Sequence, residues 1–162
     1  MKALLVIDMQ EAFVGKNHPK RFRYDDDIIA KVNSVIEQND FVVYIRNLFK
    51  NNFINRLGPV KCFDGTPEAE LAEGLKIVSE NRFDKYAPSA FYNTELCGFL
   101  KKNGCNTVEL VGVDVRDVTF TAVGALNLGF KATLNTSAIG TIYKSSRRYF
   151  YRMLREMGAE FI

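Results

Sequence analysis

The chain has 162 residues, 47% hydrophobic and 25% charged, with 22 Lys+Arg against 19 Asp+Glu for a net charge of +3. That length is one domain, 1–162, with room for a real core, and the composition is that of an ordinary soluble globular protein. The charge surplus is too small and too dispersed to point to nucleic acid. A single histidine, His18, and three cysteines without CxxC spacing leave no multi-histidine metal site and no cysteine-pair redox site.

The opening Met1 to Ile7 is too short for a secretory signal and meets a carboxylate at Asp8. No segment approaches the roughly 20 apolar residues of a membrane span. The reading is a cytoplasmic protein with free thiols.

Residues 3–7, Ala-Leu-Leu-Val-Ile, are continuously apolar and β-prone, as a strand buried on both faces of a parallel sheet must be. After a polar loop, Asp25, Asp26 and Asp27 supply the cap and first-turn carboxylates of a helix with Ile28, Ile29, Val32, Val35 and Ile36 inward, ending near Asn39. Phe41 to Ile45 is a second buried strand, which completes a βαβ unit. Residues 47–65 lack periodicity and are expected to be a long functional loop. Thr66-Pro67-Glu68 opens a short helix reaching Leu71, and Lys76 to Val78 is expected as the third strand, followed by a charged loop at 82–85. Asn93 or Thr94 caps a helix carrying Leu96, Phe99 and Leu100 and ending at Gly104, before a fourth strand at 107–113. A helix over about 118–128 follows, stopped by Gly129, then a fifth strand at 131–134. Ser145 or Ser146 caps a last helix burying Tyr149, Phe150, Met153, Leu154 and Met157, and Ala159 to Ile162 closes the sheet.

Six strands alternating with helices predict a three-layer α/β/α sandwich, a mainly parallel Rossmann-like sheet of order 3-2-1-4-5-6, with the ligand site at the carboxyl ends of the strands. Neither GxGxxG after strand one nor GxxxxGK[ST] occurs, which removes the two common nucleotide sites.

Asp8 projects from the end of strand one, Lys85 follows the third, and Asp117 follows the fourth, each with a plain alternative as a cap or a solvated charge. Read together, these segments resemble the isochorismatase-like superfamily, or cysteine hydrolases, over essentially the whole chain. The motifs are Leu5-Val6-Ile7-Asp8-Met9-Gln10 with Phe13, then Gly65-Thr66-Pro67-Glu68-Ala69-Glu70-Leu71. Lys85 follows with Ser89-Ala90-Phe91 and Thr94-Glu95-Leu96, and then Val111-Gly112 leading into Thr121-Ala122, Ala125 and Gly129.

The resemblance implies an Asp-Lys-Cys triad in which Asp8 deprotonates a thiol and Lys85 stabilises the anion. The cysteine is missing from this chain. Counting back from Thr121 places Asp117 in the nucleophile slot, and counting on from Gly112 places Val118 there, while Cys62, Cys97 and Cys105 read as small apolar packing. Two carboxylates around one lysine are expected to raise one carboxylate's pKa while the lysine lowers the other's. Relatives that hydrolyse isochorismate also lack the cysteine, because a vinyl ether needs protonation and water attack rather than a thiol. The expected activity is therefore acid/base hydrolysis through Asp8 and Lys85.

The resemblance further implies that Phe13 and Phe91 line the pocket around a small, flat or carboxylate-bearing substrate. It also puts a cis peptide and oxyanion donors in the turn Gly112-Val113-Asp114-Val115, where Val113 and Asp114 would touch substrate. No metal or other cofactor is expected: nicotinamidase-type relatives carry an Asp-x-His cluster after strand two, whereas Ile45-Arg46-Asn47-Leu48-Phe49 has no histidine, and His18 reads as solvent-exposed. The expected assembly is a dimer or tetramer. The competing reading is an inactive member that binds a small molecule or serves as an assembly subunit. It is favoured by the missing cysteine and by Val123-Gly124 where relatives carry an acidic residue; Arg147, Arg148, Arg152 and Arg155 on the last helix read either as a partner surface or, more plainly, as a solvated face. A flavodoxin-like module lacks its phosphate loop.

Overall fold

The computed structural model describes all residues except 17, 19–21 and 93, together with the side chain of residue 94. Its strands are β1 (Lys2–Ile7), β2 (Val42–Asn47), β3 (Arg82–Lys85), β4 (Thr107–Gly112), β5 (Lys131–Ile139) and β6 (Glu160–Phe161). The helices are α1 (Glu11–Val14), α2 (Ile28–Ile36), α3 (Phe53–Leu57), α4 (Thr94–Lys102), α5 (Val115–Asn127) and α6 (Lys144–Glu156). The strands form one parallel sheet in the order 3-2-1-4-5-6, as predicted.

Alternation along β1 sends Ala3, Leu5 and Ile7 into one apolar layer and Leu4 and Val6 into the other. The first layer is closed by Leu96 and Leu100 of α4, by Val115, Val118, Ala122 and Ala125 of α5, and by Tyr151 and Leu154 of α6. The second is closed by Ile28, Val32, Val35 and Ile36 of α2, by Ala12 and Phe13 of α1, and by Val60, Cys62 and Leu75 from the connection between β2 and β3. Each fully buried Leu, Ile or Val contributes about 1.5–3 kcal/mol, so the two layers supply the bulk of the stabilisation.

Several boundaries differ from expectation. The third strand is not Lys76 to Val78, whose Ile77 and Val78 are 41% and 58% exposed. That stretch is held by side chains: Tyr44 donates its hydroxyl to the Lys76 carbonyl (2.8 Å) and accepts from the Val78 amide (3.0 Å), and the Lys76 amide donates to Asn33 Oδ1 (2.8 Å). The ladder to β2 is made instead by Arg82 to Lys85, the supposed charged loop. A short edge strand needs no apolar run when its charges are paired, and Arg46 of β2 grips Asp84 through two bonds of 2.7 and 2.9 Å.

The connection 47–65 contains α3, and α1 occupies part of the expected polar loop after β1. Thr66 caps nothing with its side chain; its hydroxyl donates to the Phe63 and Lys61 carbonyls, and only a 3-10 turn, Pro67–Ala69, follows. Asp27 stands at the N-cap of α2 without a side-chain cap bond, and Asp25 and Asp27 pair with Lys31 instead. The expected cap at 93 or 94 lies outside the described residues. α5 begins three residues earlier than expected, which puts Asp117 in its first turn and makes Asp114 the cap. β5 runs on to Ile139.

α6 is capped by neither serine, since Tyr143 is the cap residue, and its fully buried side chains are Tyr151 and Leu154. Tyr149 and Met157 of the expected stripe are 57% and 38% exposed. Two aromatic neighbours decide this offset: Tyr149 packs edge-on to Phe150, and Phe150 to Phe120, at the surface of the layer. The arginines are not one solvated face either. Arg147 is half-buried and donates to the Ile139 carbonyl, and Arg155 lies over the Phe161 ring.

Gly112 ends β4 with φ 113°, and a side chain there would collide with the Ile7 carbonyl of β1. Gly112→Ala is expected to cost about 3 kcal/mol or more, read as a lowered urea midpoint with an unchanged m-value.

Candidate active site

β1 lies between β2 and β4, so the crossovers leave it in opposite directions and open a crevice at its carboxyl end. Asp8 stands there with φ 54°, a left-handed conformation uncommon for a non-glycine residue. It is fixed by its amide donating to the Ile45 carbonyl (2.9 Å) and its carbonyl accepting from the Gln10 amide (2.8 Å). Gln10, fully buried, holds the neighbouring ends together: its side chain accepts from the Asn47 amide (2.6 Å) and donates to the Ala69 carbonyl (2.9 Å) and to Cys62 Sγ (3.2 Å).

Lys85, the last residue of β3, is 2% exposed. Its ammonium reaches across β2 to Asp8 Oδ2 at 2.8 Å and to Asp117 Oδ1 at 3.1 Å. A buried ammonium needs such partners, because desolvation of an unpaired charge costs several kcal/mol. The three residues that stood far apart in the sequence therefore converge on one nitrogen.

The remaining oxygen of Asp8, Oδ1, is buried without a hydrogen-bond partner among the described residues. Asp8 borders a cavity of about 310 Å³ whose walls include Phe13, Phe22, Tyr24 and Phe150. Its carboxyl is pushed up to about 7, first by burial; Lys85 opposes the shift and the charge of Asp117 adds to it. On Asp8 the like charge of Asp117 acts in the expected direction, but burial is the larger cause and outweighs the opposing lysine.

Val113 and Asp114 both line the cavity, and the peptide between them is cis. Asp114 is a cap as well as a wall: Oδ1 accepts from the Arg116 amide (3.0 Å) and Oδ2 from the Ile142 amide (2.9 Å). Burial pushes its carboxyl upward against those two bonds. Phe13 is a wall residue, edge-on to Phe22 at 5.5 Å. Phe91 is not placed there. It belongs to the apolar layer under α5, its ring on Phe130 at 5.6 Å, and Gly124 packs directly over its Cβ. Val118, the other candidate for the nucleophile slot, is fully buried in the same layer, whereas Asp117 lines the cavity.

Tyr24, Phe22, Asn47, Arg116, Ile142, Tyr143 and Phe150 also line the cavity and were not singled out from the sequence. Phe22 and Tyr24 lie in a stretch without periodicity. Phe150 comes from α6, a helix whose start was placed two or three residues late and in which it was read only as a packing residue.

Cys62 is fully buried, and its thiol is pushed up to about 12, chiefly by burial. It is more than apolar filling, since its sulfur accepts from Gln10 and donates to the Asn47 carbonyl (3.0 Å). His18 is half-buried rather than solvent-exposed, with Nδ1 unpartnered among the described residues, beside a separate cavity bordered by Glu11 and Lys61. Among the described residues no three His, Cys, Asp or Glu side chains cluster as a metal-ligand set. The carboxylates that could begin one are engaged: Asp8 and Asp117 by an ammonium, Asp114 by two backbone amides. No helix of the described residues is long and apolar enough to cross a membrane.

A doubly wound α/β domain with a lysine bridging two aspartates at its switch point defines the class. The isochorismatase domain model matches residues 2–162, and the chain belongs to that family. It is 31% identical over 143 residues to a probable inactive nicotinamidase of Arabidopsis thaliana, covering 75% of this chain and 72% of the relative. An isochorismatase-like hydrolase from Alkaliphilus metalliredigens superposes with a TM-score of 0.85 at 25% identity, covering 99% of this chain and 92% of that one. A pyrazinamidase of Pyrococcus horikoshii in complex with zinc superposes with a TM-score of 0.82 at 28% identity, covering 99% and 98%.

The raised Asp8 carboxyl sets a sign for stability. It holds its proton in the fold up to about 7 but loses it near 3.8 when unfolded, so the native state binds more protons between those values. Stability from this group is greatest at low pH and falls as pH rises toward 7. Asp8→Asn is expected to flatten that slope in unfolding free energies measured from pH 4 to 8.

Proposed function

We propose that this family member is a hydrolase of a small molecule that works by acid/base chemistry on a vinyl ether rather than by a thiol on an amide. The observation that carries the reading is Asp8: a buried carboxyl pushed up to about 7, with one oxygen held by Lys85 and the other free at an aromatic-walled cavity. Such a group is protonated for part of its time near neutrality and has an oxygen with nothing else to bond.

In the proposed reaction Asp8 gives its proton to the terminal carbon of the vinyl ether. The carbon bearing the ether oxygen becomes cationic, and the carboxylates of Asp8 and Asp117 stabilise it. Asp8, now ionised beside Lys85, takes a proton from the attacking water. The hemiketal then collapses to an alcohol and a ketone, so one water is consumed and Asp8 recovers its proton. Lys85 holds both carboxylates in place throughout. A thiol pathway lacks support: the cavity wall carries the carboxylate of Asp117, one of the two candidates for the nucleophile slot, and the thiol of Cys62 is buried and pushed the wrong way for a nucleophile.

The second reading is an inactive member that binds a small molecule. The probable inactive nicotinamidase among the relatives favours it.

The test uses 3-(1-carboxyvinyloxy)benzoate, with pyruvate release followed by coupling to lactate dehydrogenase. Wild type is expected to release pyruvate and Asp8→Asn to lose about 100-fold or more in kcat. No release by folded wild type, or equal rates in the two proteins, would refute the hydrolase and leave the binder.

The activity is expected to fall above about pH 7 as Asp8 loses its proton. Asp117→Asn removes a charge that raises the Asp8 pKa and leaves Lys85 to Asp8 alone, so this limb of the pH profile of kcat should move to lower pH.

A further inference from the structure

Tyr24 has no place in the chemistry proposed above, yet it is built into the same cavity. It stands on the wall with Asp8, Val113, Asp114 and Asp117. Its ring is seated on a glycine: a Cβ at Gly140 would lie 2.9 Å from Tyr24 Cδ1 and 2.7 Å from Val113 Cγ1, so only the absence of a side chain lets both pack there. Gly140 itself is tied at both ends, its amide donating to the Gly112 carbonyl and its carbonyl accepting from the Val115 amide, each at 2.9 Å. The phenol is thus mounted on the backbone that closes the switch point. Its hydroxyl has no hydrogen-bond partner among the described residues and is not among the buried orphan atoms, and Tyr24 borders both this cavity and a smaller one beside Asp25 and Ile28. Burial and the charges of Asp114, Asp8 and Asp117 keep it un-ionised, a neutral donor at every working pH.

We propose that Tyr24, seated on Gly140, is the substrate-positioning donor of this cavity. It selects flat ligands that carry a neutral acceptor oxygen, such as an ether, ester or amide carbonyl, and aims that oxygen away from the aspartates. An anionic oxygen at the same point would meet the negative charges of Asp8, Asp114 and Asp117, whereas a neutral acceptor completes the one hydrogen bond the phenol lacks. The aromatic walls of Phe13, Phe22 and Phe150 take the ring of the ligand. This inference rests on the reading of the cavity as the active site, and it adds a residue and a selection rule to it.

The test compares two rings of similar size, benzamide with an acceptor oxygen and toluene without one, by NMR titration of wild type, Tyr24→Phe and Gly140→Ala. Loss of one neutral hydrogen bond is expected to raise the benzamide Kd about 3- to 10-fold in Tyr24→Phe and to leave the toluene Kd unchanged. A merely structural tyrosine would weaken both probes together. In Gly140→Ala, which displaces the ring, benzamide is expected to weaken at least as much as in Tyr24→Phe. With pyruvate release as a second readout, Tyr24→Phe should raise KM with little change in the pH dependence of kcat. Equal benzamide affinity in wild type and Tyr24→Phe overturns the role of Tyr24 and leaves the active-site reading standing. If neither probe binds wild type and 3-(1-carboxyvinyloxy)benzoate is not turned over, the active-site reading fails and this inference falls with it.

Discussion

An ammonium group without access to water cannot stay where it is unless anions come to it, and the end of this sheet is arranged around that requirement. Lys85 is 2% exposed, and the two carboxylates within reach belong to elements far apart in the chain. Asp8 comes at the end of the central strand and Asp117 from the first turn of α5. Meeting the lysine fixes the relative heights of β1, β3 and α5, and therefore the shape of the crevice between them. The unusual backbone at Asp8 and the buried grip of Gln10 on the ends of β1 and β2 belong to the same requirement, because each sets where the first carboxylate points. Removing either carboxylate leaves the ammonium partly uncompensated, so fold and site share their most sensitive interaction.

The same geometry separates the two oxygens of Asp8. One is held by the lysine and the other is buried without a partner among the described residues, so the carboxyl is anchored on one side only. Burial dominates its raised pKa, and the lysine moderates it. A carboxyl raised only by a neighbouring charge would depend on salt; one raised by burial is far less sensitive to it.

Much of this was legible in the sequence, and the reasons differ by element. The continuous apolar runs at 3–7 and 41–45 and the largely apolar stretch 107–113, interrupted by Glu109, marked buried strands, and the observed order is that of the Rossmann-like sheet expected from their alternation with helices. Asp8, Lys85 and Asp117 were found because strand ends in such a sheet are where ligands sit, although their convergence on one nitrogen is a fact of three dimensions. The third strand was misplaced because an edge strand can be charged on both faces when its neighbours pair it, and Arg46 with Asp84 does so. Phe91 was assigned to the wall from its motif, while Gly124 opens a seat for it in the core. Tyr24 and Phe22 left no trace of periodicity, and only the folded chain lays them beside Val113 and Phe13.

The fully buried Cys62 has a further consequence. Its sulfur is fastened between Gln10 and the Asn47 carbonyl, with its proton held tightly, and the charged wall of the cavity includes the carboxylates of Asp8, Asp114 and Asp117. Those groups have no oxidation states to lose. A thiolate in that wall would be consumed by peroxide, whereas these carboxylates offer an oxidant nothing to attack.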